Sequence, residues 1–131
     1  MNKLEKCPPT EYEQKQCESF RWVFEDIQDK RNFIAQAEKN PKKLNDKSDI
    51  QKCEIYALSF HDSLENSQAH FSKLTKKFKN LKKLLGTHIA KGNLVNDDGV
   101  GSNVDNNGHF NFHYRTNHEF DKRFEIIRIL E

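Results

Sequence analysis

A lysine-rich stretch, residues 66–96, constrains the fold of this chain more than any other part of its sequence. It holds seven lysines and no acidic residue. From Leu64 to Leu85, leucine and phenylalanine recur every three or four residues, which is typical of one amphipathic helix with a nearly heptad-like apolar seam. Gly86 either ends this helix or lies within it, and in the second case Gly92 supplies the end.

The same periodicity predicts one mainly α-helical α+β domain for the 131 residues. Capping-box patterns at Thr10 and Ser48 each mark the start of a helix, and Pro41 stops another. A frayed tail is expected at residues 1–9, before a helical core at 10–92. The predicted helices cover residues 10–28, 31–39, 48–60 and 63–85.

The amino-acid composition changes in the last third of the chain. Residues 96–108 are rich in Asn, Asp and Gly, which predicts a flexible surface loop. Alternating aromatic residues at 109–115 and β-branched residues at 123–130 predict two strands. We expect them to pair as a C-terminal hairpin, 109–131, packed on the helices, because a lone hairpin is marginal in water.

Charge is distributed unevenly along the chain, although the net charge is only +2. Residues 1–65 carry 11 basic and 13 acidic side chains, and residues 97–131 carry 4 basic and 7 acidic ones. The basic stretch between them is most simply a solvated helix face, and the functional alternative is a surface that binds an anion or a protein partner. The residues predicted to form this surface are Lys73, Lys76, Lys77, Lys79, Lys82 and Lys83.

Three cysteines, Cys7, Cys17 and Cys53, give an odd count with no C-x-x-C spacing. This disfavours a disulfide framework and a structural zinc site. No apolar leader precedes residue 10, and the apolar run near the C-terminus is too short to span a bilayer. We therefore predict a cytoplasmic protein with no membrane span, no cofactor and no bound metal.

One motif resembles the first half of a calcium-binding loop. Asn103, Asp105 and Asn107 alternate before Gly108, as in an EF-hand. The twelfth position, however, is Tyr114, where a bidentate glutamate is needed. Turn chemistry explains the same residues.

Six histidines are the remaining candidates for chemistry: His61, His70, His88, His109, His113 and His118. On a strand, His109 and His113 would lie about 13 Å apart, which is too far to share a metal. On a helix the same spacing suits zinc, with Glu119 or Asp121 completing the site. A cysteine–histidine dyad is a weaker alternative. The run from Ser59 to Asp62 is no evidence for a triad, because consecutive helical residues point in different directions.

These observations predict a small cytosolic interaction or regulatory module without catalytic residues. Its partner would be another protein, and a homo-oligomer is compatible with the apolar seam. The first alternative is non-specific nucleic-acid binding through the lysine-rich helix 66–91, although the cluster lacks arginine and interleaved aromatics. The second alternative is an enzyme with a histidine-based site near residues 96–118, using His61, His109 or His113.

Overall fold

A computed structural model describes residues 7–115 and 119–130 and has a β-sheet at its centre. The described strands are β1 Glu13–Gln14, β2 Cys17–Val23, β3 Leu58–His61, β4 His88–Leu94, β5 Gly99–Gly101, β6 His109–Tyr114 and β7 Glu125–Ile129. They form one seven-stranded antiparallel sheet in the order β1-β5-β6-β3-β2-β4-β7. The described helices are short: α1 Gln36–Lys39, α2 Asp49–Ile55, α3 Leu64–Thr75, α4 Leu81–Leu84 and α5 Phe120–Arg123. Two 3₁₀ turns lie at Pro41–Leu44 and Asn96–Asp98.

The prediction of a mainly helical fold is therefore wrong, and the error is largest at the N-terminus. Residues 10–28 form β1 and β2 instead of a helix, and Thr10 lies in a turn. Strand β2 is central and covered on both faces, so Phe20 and Val23 are both buried although they point to opposite sides. Burial on both faces removes the regular alternation of polar and apolar residues that identifies a strand, and the spacing of Phe20, Val23 and Phe24 also fits a helix.

The long amphipathic helix predicted at 63–85 is also wrong. It divides into α3 and α4, with residues 76–80 between them. Phe78, which the seam would bury, is 56% exposed, whereas Phe71 and Leu81 are buried. The segment turns at Gly86, where a side chain would collide with the backbone of Val23, and continues as β4. A helix continuing to Gly92 is excluded.

The C-terminal hairpin is a third correction. Strands β6 and β7 exist close to the predicted positions, but they do not pair with each other. Strand β6 lies between β3 and β5, and β7 pairs with β4 at the edge of the sheet. The segment 96–108, between β4 and β6, contains β5 and a hydrogen-bonded turn. Long-range pairing of this kind leaves no local pattern in the sequence.

Two helix starts are confirmed. The Ser48 hydroxyl accepts the backbone N–H of Gln51 at 3.2 Å, and the Gln51 side chain accepts the Ser48 N–H at 3.0 Å. Ser63 caps α3 by accepting the backbone N–H of Asn66 at 3.0 Å. Helix α2 nevertheless ends at Ile55, and the chain enters β3 where helix 48–60 was predicted to continue.

The sheet separates two apolar clusters. On one face, α3 and α4 cover β2 and β4, with Phe71 and Ile89 fully buried between them. On the other face, Phe33 and α5 close over a larger cluster that includes Phe60 and Phe112. Aromatic rings supply most of this second cluster, which explains how a chain with 34% hydrophobic residues fills two cores.

A disulfide joins Cys7 to Cys53, although the odd cysteine count and the spacing disfavour a disulfide framework. It connects the segment before β1 to the buried side of α2. Of the predicted frayed tail, residues 1–6 lie outside the described residues. None of the described helices is long and apolar enough to cross a membrane.

Candidate functional site

The candidate site lies where β3 and β6 run side by side. His61 pairs directly with His109, and Ser59 pairs with Asn111. Alternate residues of a strand point to the same face, so these four side chains share one face of the sheet. Diagonal neighbours across an antiparallel pair are within reach of long side chains. Ser59 and His109 are such a diagonal pair.

Two of these side chains, Ser59 and His109, form a chain of polar contacts with Asp105. The hydroxyl oxygen of Ser59 lies 2.9 Å from His109 Nε2. On the other side of the ring, His109 Nδ1 lies 3.6 Å from a carboxylate oxygen of Asp105. Ser59 is exposed and His109 is half-buried, so the hydroxyl group is open to a substrate.

A tight turn holds Asp105 beside the histidine. The other carboxylate oxygen of Asp105 accepts the backbone N–H groups of Asn107 at 2.8 Å and His109 at 3.0 Å. Gly108 takes a positive φ of 72° in this turn, and its carbonyl accepts the N–H of Asp62 at the end of β3. The turn is therefore tied to the strand that carries Ser59.

The ionisation states of His109 and Asp105 suit a general base and its anionic partner. Burial lowers the pKa of His109 below its ordinary 6.5, although Asp105 opposes this effect. Partial burial raises the pKa of Asp105, but the N–H groups of His109 and Asn107 outweigh it and lower the pKa overall. At neutral pH the imidazole is neutral and the carboxyl group is ionised.

Two further histidines extend the cluster. His61 Nε2 lies 2.8 Å from His70 Nδ1, and the His61 ring lies 5.5 Å from that of His109. Trp22 packs on His61 at 4.9 Å between ring centroids and donates its indole N–H to Ser67 at 2.9 Å. Burial lowers the pKa of His61 to about 3, with a smaller contribution from His109 and His70. The cluster is therefore uncharged near neutral pH.

A cleft of about 90 Å³ opens beside Ser59, where β2 and β3 separate. Arg21 and Lys39 line it, together with His61. Arg21 is buried and donates to the carbonyls of Asn32 at 2.6 Å and Ser59 at 2.9 Å. Within the described ranges, Arg21 has no carboxylate partner, and burial lowers its pKa to about 10. A cleft lined by two cations favours an anionic group.

The arrangement has the parts needed for nucleophilic catalysis. A hydroxyl group is hydrogen-bonded to a neutral imidazole, and a carboxylate faces the opposite ring nitrogen. The contact to Asp105 is longer than a direct hydrogen bond, and such contacts are often long before substrate binds. Recognition of such a triad depends on geometry and roles, not on sequence order.

The six lysines predicted to bind a partner or an anion are all exposed. They do not share one helix, because they lie on α3, on the turn after it and on α4. Lys73 donates to the side chain of Asn107 at 2.9 Å, so the beginning of this lysine surface touches the turn next to Asp105. The binding role of the lysines stays a prediction.

The other sequence candidates are dispersed. Cys17 is a half-buried thiol 3.5 Å from the Ser19 hydroxyl, while Cys53 belongs to the disulfide. His88, the first residue of β4, contacts the hydroxyl group of Thr87, and His113 lies beside the disulfide. His118 lies outside the described residues. The calcium-like motif forms a turn in which Asp105 accepts backbone N–H groups.

Sequence reasoning named His61 and His109 but missed Ser59 and Asp105 as their partners. On a helix, Ser59 and His61 would point in different directions. In strand β3, the alternation Leu58, Ser59, Phe60, His61 puts the polar pair on one face. That short alternation is the local signal that links Ser59 to His61.

No protein family, curated protein or solved structure matches this chain. The chemistry of the site therefore rests on its own geometry.

Proposed function

We propose that the protein is a hydrolase of small esters that uses Ser59 as nucleophile, His109 as general base and Asp105 as the carboxylate that orients His109. One observation carries this proposal. The Ser59 hydroxyl is 2.9 Å from His109 Nε2, while Asp105 faces the opposite nitrogen of the same ring. It is a specific form of the histidine-based enzyme predicted near residues 96–118.

In the proposed reaction, His109 Nε2 takes the proton of Ser59 as the hydroxyl oxygen attacks the acyl carbon of the ester. The imidazolium then gives this proton to the leaving alcohol, which leaves an acyl group on Ser59. Water hydrolyses the acyl group with His109 again acting as base. The charge on Asp105 stabilises the imidazolium that forms in both steps.

The cleft beside Ser59 supports a substrate preference. Its volume of about 90 Å³ admits a group of a few heavy atoms. Arg21 and Lys39 line it, so an ester whose acyl part ends in a carboxylate is the preferred class.

The test compares 4-nitrophenyl acetate with the 4-nitrophenyl half-ester of succinate, by release of nitrophenolate and by mass spectrometry of the acylated protein. We expect Ser59→Ala and His109→Gln to lose about a hundredfold or more in rate. Ser72→Ala, at an exposed serine of α3, is the matched control and should keep the full rate. Equal rates in Ser59→Ala and in the parent protein would remove the proposal.

The pH profile gives an independent check. His109 acts only when neutral, and burial lowers its pKa below 6.5. The rate should therefore fall on the acid side with a midpoint below 6.5, not at the value of a free histidine. A midpoint above 6.5 would assign the base to another group.

A second candidate function concerns the lysine surface, the exposed side chains of Lys73 to Lys83. We keep a protein partner as the predicted ligand and nucleic acid as the alternative, because six exposed lysines lie close together in the chain. The triple replacement Lys76→Glu, Lys79→Glu and Lys83→Glu should abolish binding without changing the circular dichroism. Steep weakening with salt would indicate nucleic acid.

The cellular compartment and the oligomeric state of the protein also remain predictions. The sequence favours the cytoplasm, whereas the disulfide between Cys7 and Cys53 favours an oxidising compartment. A homo-oligomer stays untested, and sedimentation of the purified protein would decide it.

A further inference from the structure

Three side chains remote in sequence meet in a second cluster. Cys7 precedes β1, Cys53 lies in α2 and His113 lies in β6. His113 Nε2 is 3.9 Å from the sulfur of Cys7 and 3.7 Å from that of Cys53. All three ligand atoms lie within 4.8 Å of one another.

These distances approach those of a tetrahedral metal centre. Zinc binds thiolate sulfur at about 2.3 Å and imidazole nitrogen at about 2.0–2.1 Å, so sulfur and nitrogen ligands of one ion lie about 3.6 Å apart. The two sulfur–nitrogen distances are already close to this value. Only the two sulfurs must separate, to about 3.8 Å, and breaking the disulfide permits that movement.

The fold fixes the positions of two of the three ligands, Cys53 and His113. Cys53 is buried on α2, whose start is fixed by the Ser48 cap. His113 lies on an inner strand of the sheet, with the ring of Tyr12 at 6.0 Å between centroids. The Nε2 atom of His113 is the ring nitrogen that faces both sulfurs.

We propose that reduction of the Cys7–Cys53 disulfide converts this cluster into a binding site for Zn²⁺, with both thiolates and His113 Nε2 as ligands. The described residues supply three ligand atoms. The fourth position is therefore open to water or to an outside ligand, as in catalytic and transfer sites. The site shares no residue with the proposed hydrolase.

The conversion balances with a thiol reductant. A dithiol donates two electrons and two protons, the sulfur–sulfur bond breaks to give two thiols, and the reductant becomes a disulfide. Zn²⁺ then displaces the two thiol protons into solvent and forms two bonds to sulfur and one to nitrogen. Oxidation and metal binding exclude each other because both use the same two sulfurs.

The test uses Co²⁺ as a spectroscopic probe of the site. The full chain is reduced with a phosphine, freed of reductant by anaerobic gel filtration and titrated with Co²⁺. We expect a thiolate-to-cobalt charge-transfer band that saturates at one ion per chain and is lost when Zn²⁺ is added. The oxidised protein should give no band, and a missing band in the reduced protein would overturn the proposal.

Variants separate this site from accidental thiol binding. His113→Ala should weaken Co²⁺ binding about tenfold or more, and Cys53→Ser should abolish the band. Cys7→Ser serves the same purpose if Cys53→Ser fails to fold by circular dichroism. Cys17→Ser and His88→Gln are matched controls that should bind as the parent does. Unchanged affinity in His113→Ala, or loss of the band in Cys17→Ser, would refute the assigned ligands.

Discussion

At the scale of single residues, the buried histidine His61 is expected to make the stability of the fold depend on pH. It is 1% exposed, and burial lowers its pKa to about 3 against an ordinary 6.5. Between these values the unfolded chain binds a proton that the folded chain does not. The free energy of unfolding should therefore fall as pH drops from 6.5, by about 1.4 kcal/mol per pH unit from this residue.

Urea unfolding at a series of pH values measures this slope. His61→Gln removes the titrating group, so the loss of stability with acid should be less steep than in the parent. His88→Gln, on β4 and outside the cluster, is the control and should keep the parent slope. An unchanged slope in His61→Gln would mean that His61 is protonated in the folded state.

Lys39 is the residue expected to set substrate preference. Burial, reinforced by Arg21 and Arg31, lowers the pKa of Lys39 to about 8. Its ammonium group is charged below that value, so preference for the succinate half-ester over acetate should decline as pH rises through about 8. Lys39→Met should raise KM for the charged ester roughly tenfold or more and leave KM for acetate unchanged.

The control for this substitution is Lys43→Met. Lys43 is exposed and donates to the side chain of Gln36 at 3.3 Å, so it provides similar charge without lining the cleft. If Lys43→Met changed the selectivity as much as Lys39→Met, the effect would come from general surface charge.

At the scale of elements, the turn before β6 connects stability with the candidate activity. Gly108 has a φ of 72°, and an added Cβ would collide with the side chains of Asp62 and Asn66. Gly108→Ala should therefore cost about 1–3 kcal/mol of the free energy of unfolding. It should also lower the esterase rate, because the same turn fixes Asp105 beside His109.

Urea unfolding and the nitrophenyl ester assay on one preparation check both effects. Asn106→Ala lies in the same turn at an exposed position and is the matched control. Parent-like stability and rate in Gly108→Ala would show that the turn does not depend on its glycine.

Local signals in the sequence predicted helix starts and two strands but not the architecture. The Ser48 cap and the alternation in β6 depend only on neighbouring residues, so the start of α2 and strand β6 could be predicted from the sequence. Strand β2 could not be predicted from the sequence, because burial on both faces removes the alternation that identifies a strand. Strand β4 contains Gly92, where the Phe124 ring leaves no room for a side chain, and this contact is also invisible in sequence.

The candidate site was half predictable for the same reason. Histidines are conspicuous, and His61 and His109 were named from sequence alone. Their partner Ser59 depends on the register between β3 and β6, which is set by long-range pairing. Asp105 was noticed only as part of a calcium-like motif, since its role beside His109 requires the turn to be folded.

At the scale of the whole molecule, a few polar links join distant parts of a thin core. Arg123 on α5 forms a two-pronged ion pair with buried Asp98, at 2.9 and 2.6 Å. Arg21 on β2 donates to Asn32 and Ser59, which belong to two other segments. Breaking a buried pair by removing one partner typically costs 3–5 kcal/mol, so such links matter in a small domain.

The disulfide between Cys7 and Cys53 also joins distant parts of the chain, and this link is covalent. It spans a sequence separation of 46 residues, and β1, β2 and α1 lie between its two cysteines. Closing a loop of that length removes conformational entropy from the unfolded chain, worth about 4 kcal/mol in the chain-entropy estimate. Reduction should therefore lower the free energy of unfolding by about 2–4 kcal/mol without changing the folded secondary structure.

Urea unfolding with and without a phosphine reductant measures this loss, in the presence of a chelator so that no metal replaces the bond. The double variant Cys7→Ser with Cys53→Ser should match the reduced parent, and Cys17→Ser should match the oxidised parent. Because the disulfide acts mainly on the unfolded chain, the loss should appear in the midpoint of the transition more than in the native spectrum. Equal midpoints in both conditions would mean that the contacts of the sheet and its two cores alone determine the stability of the fold.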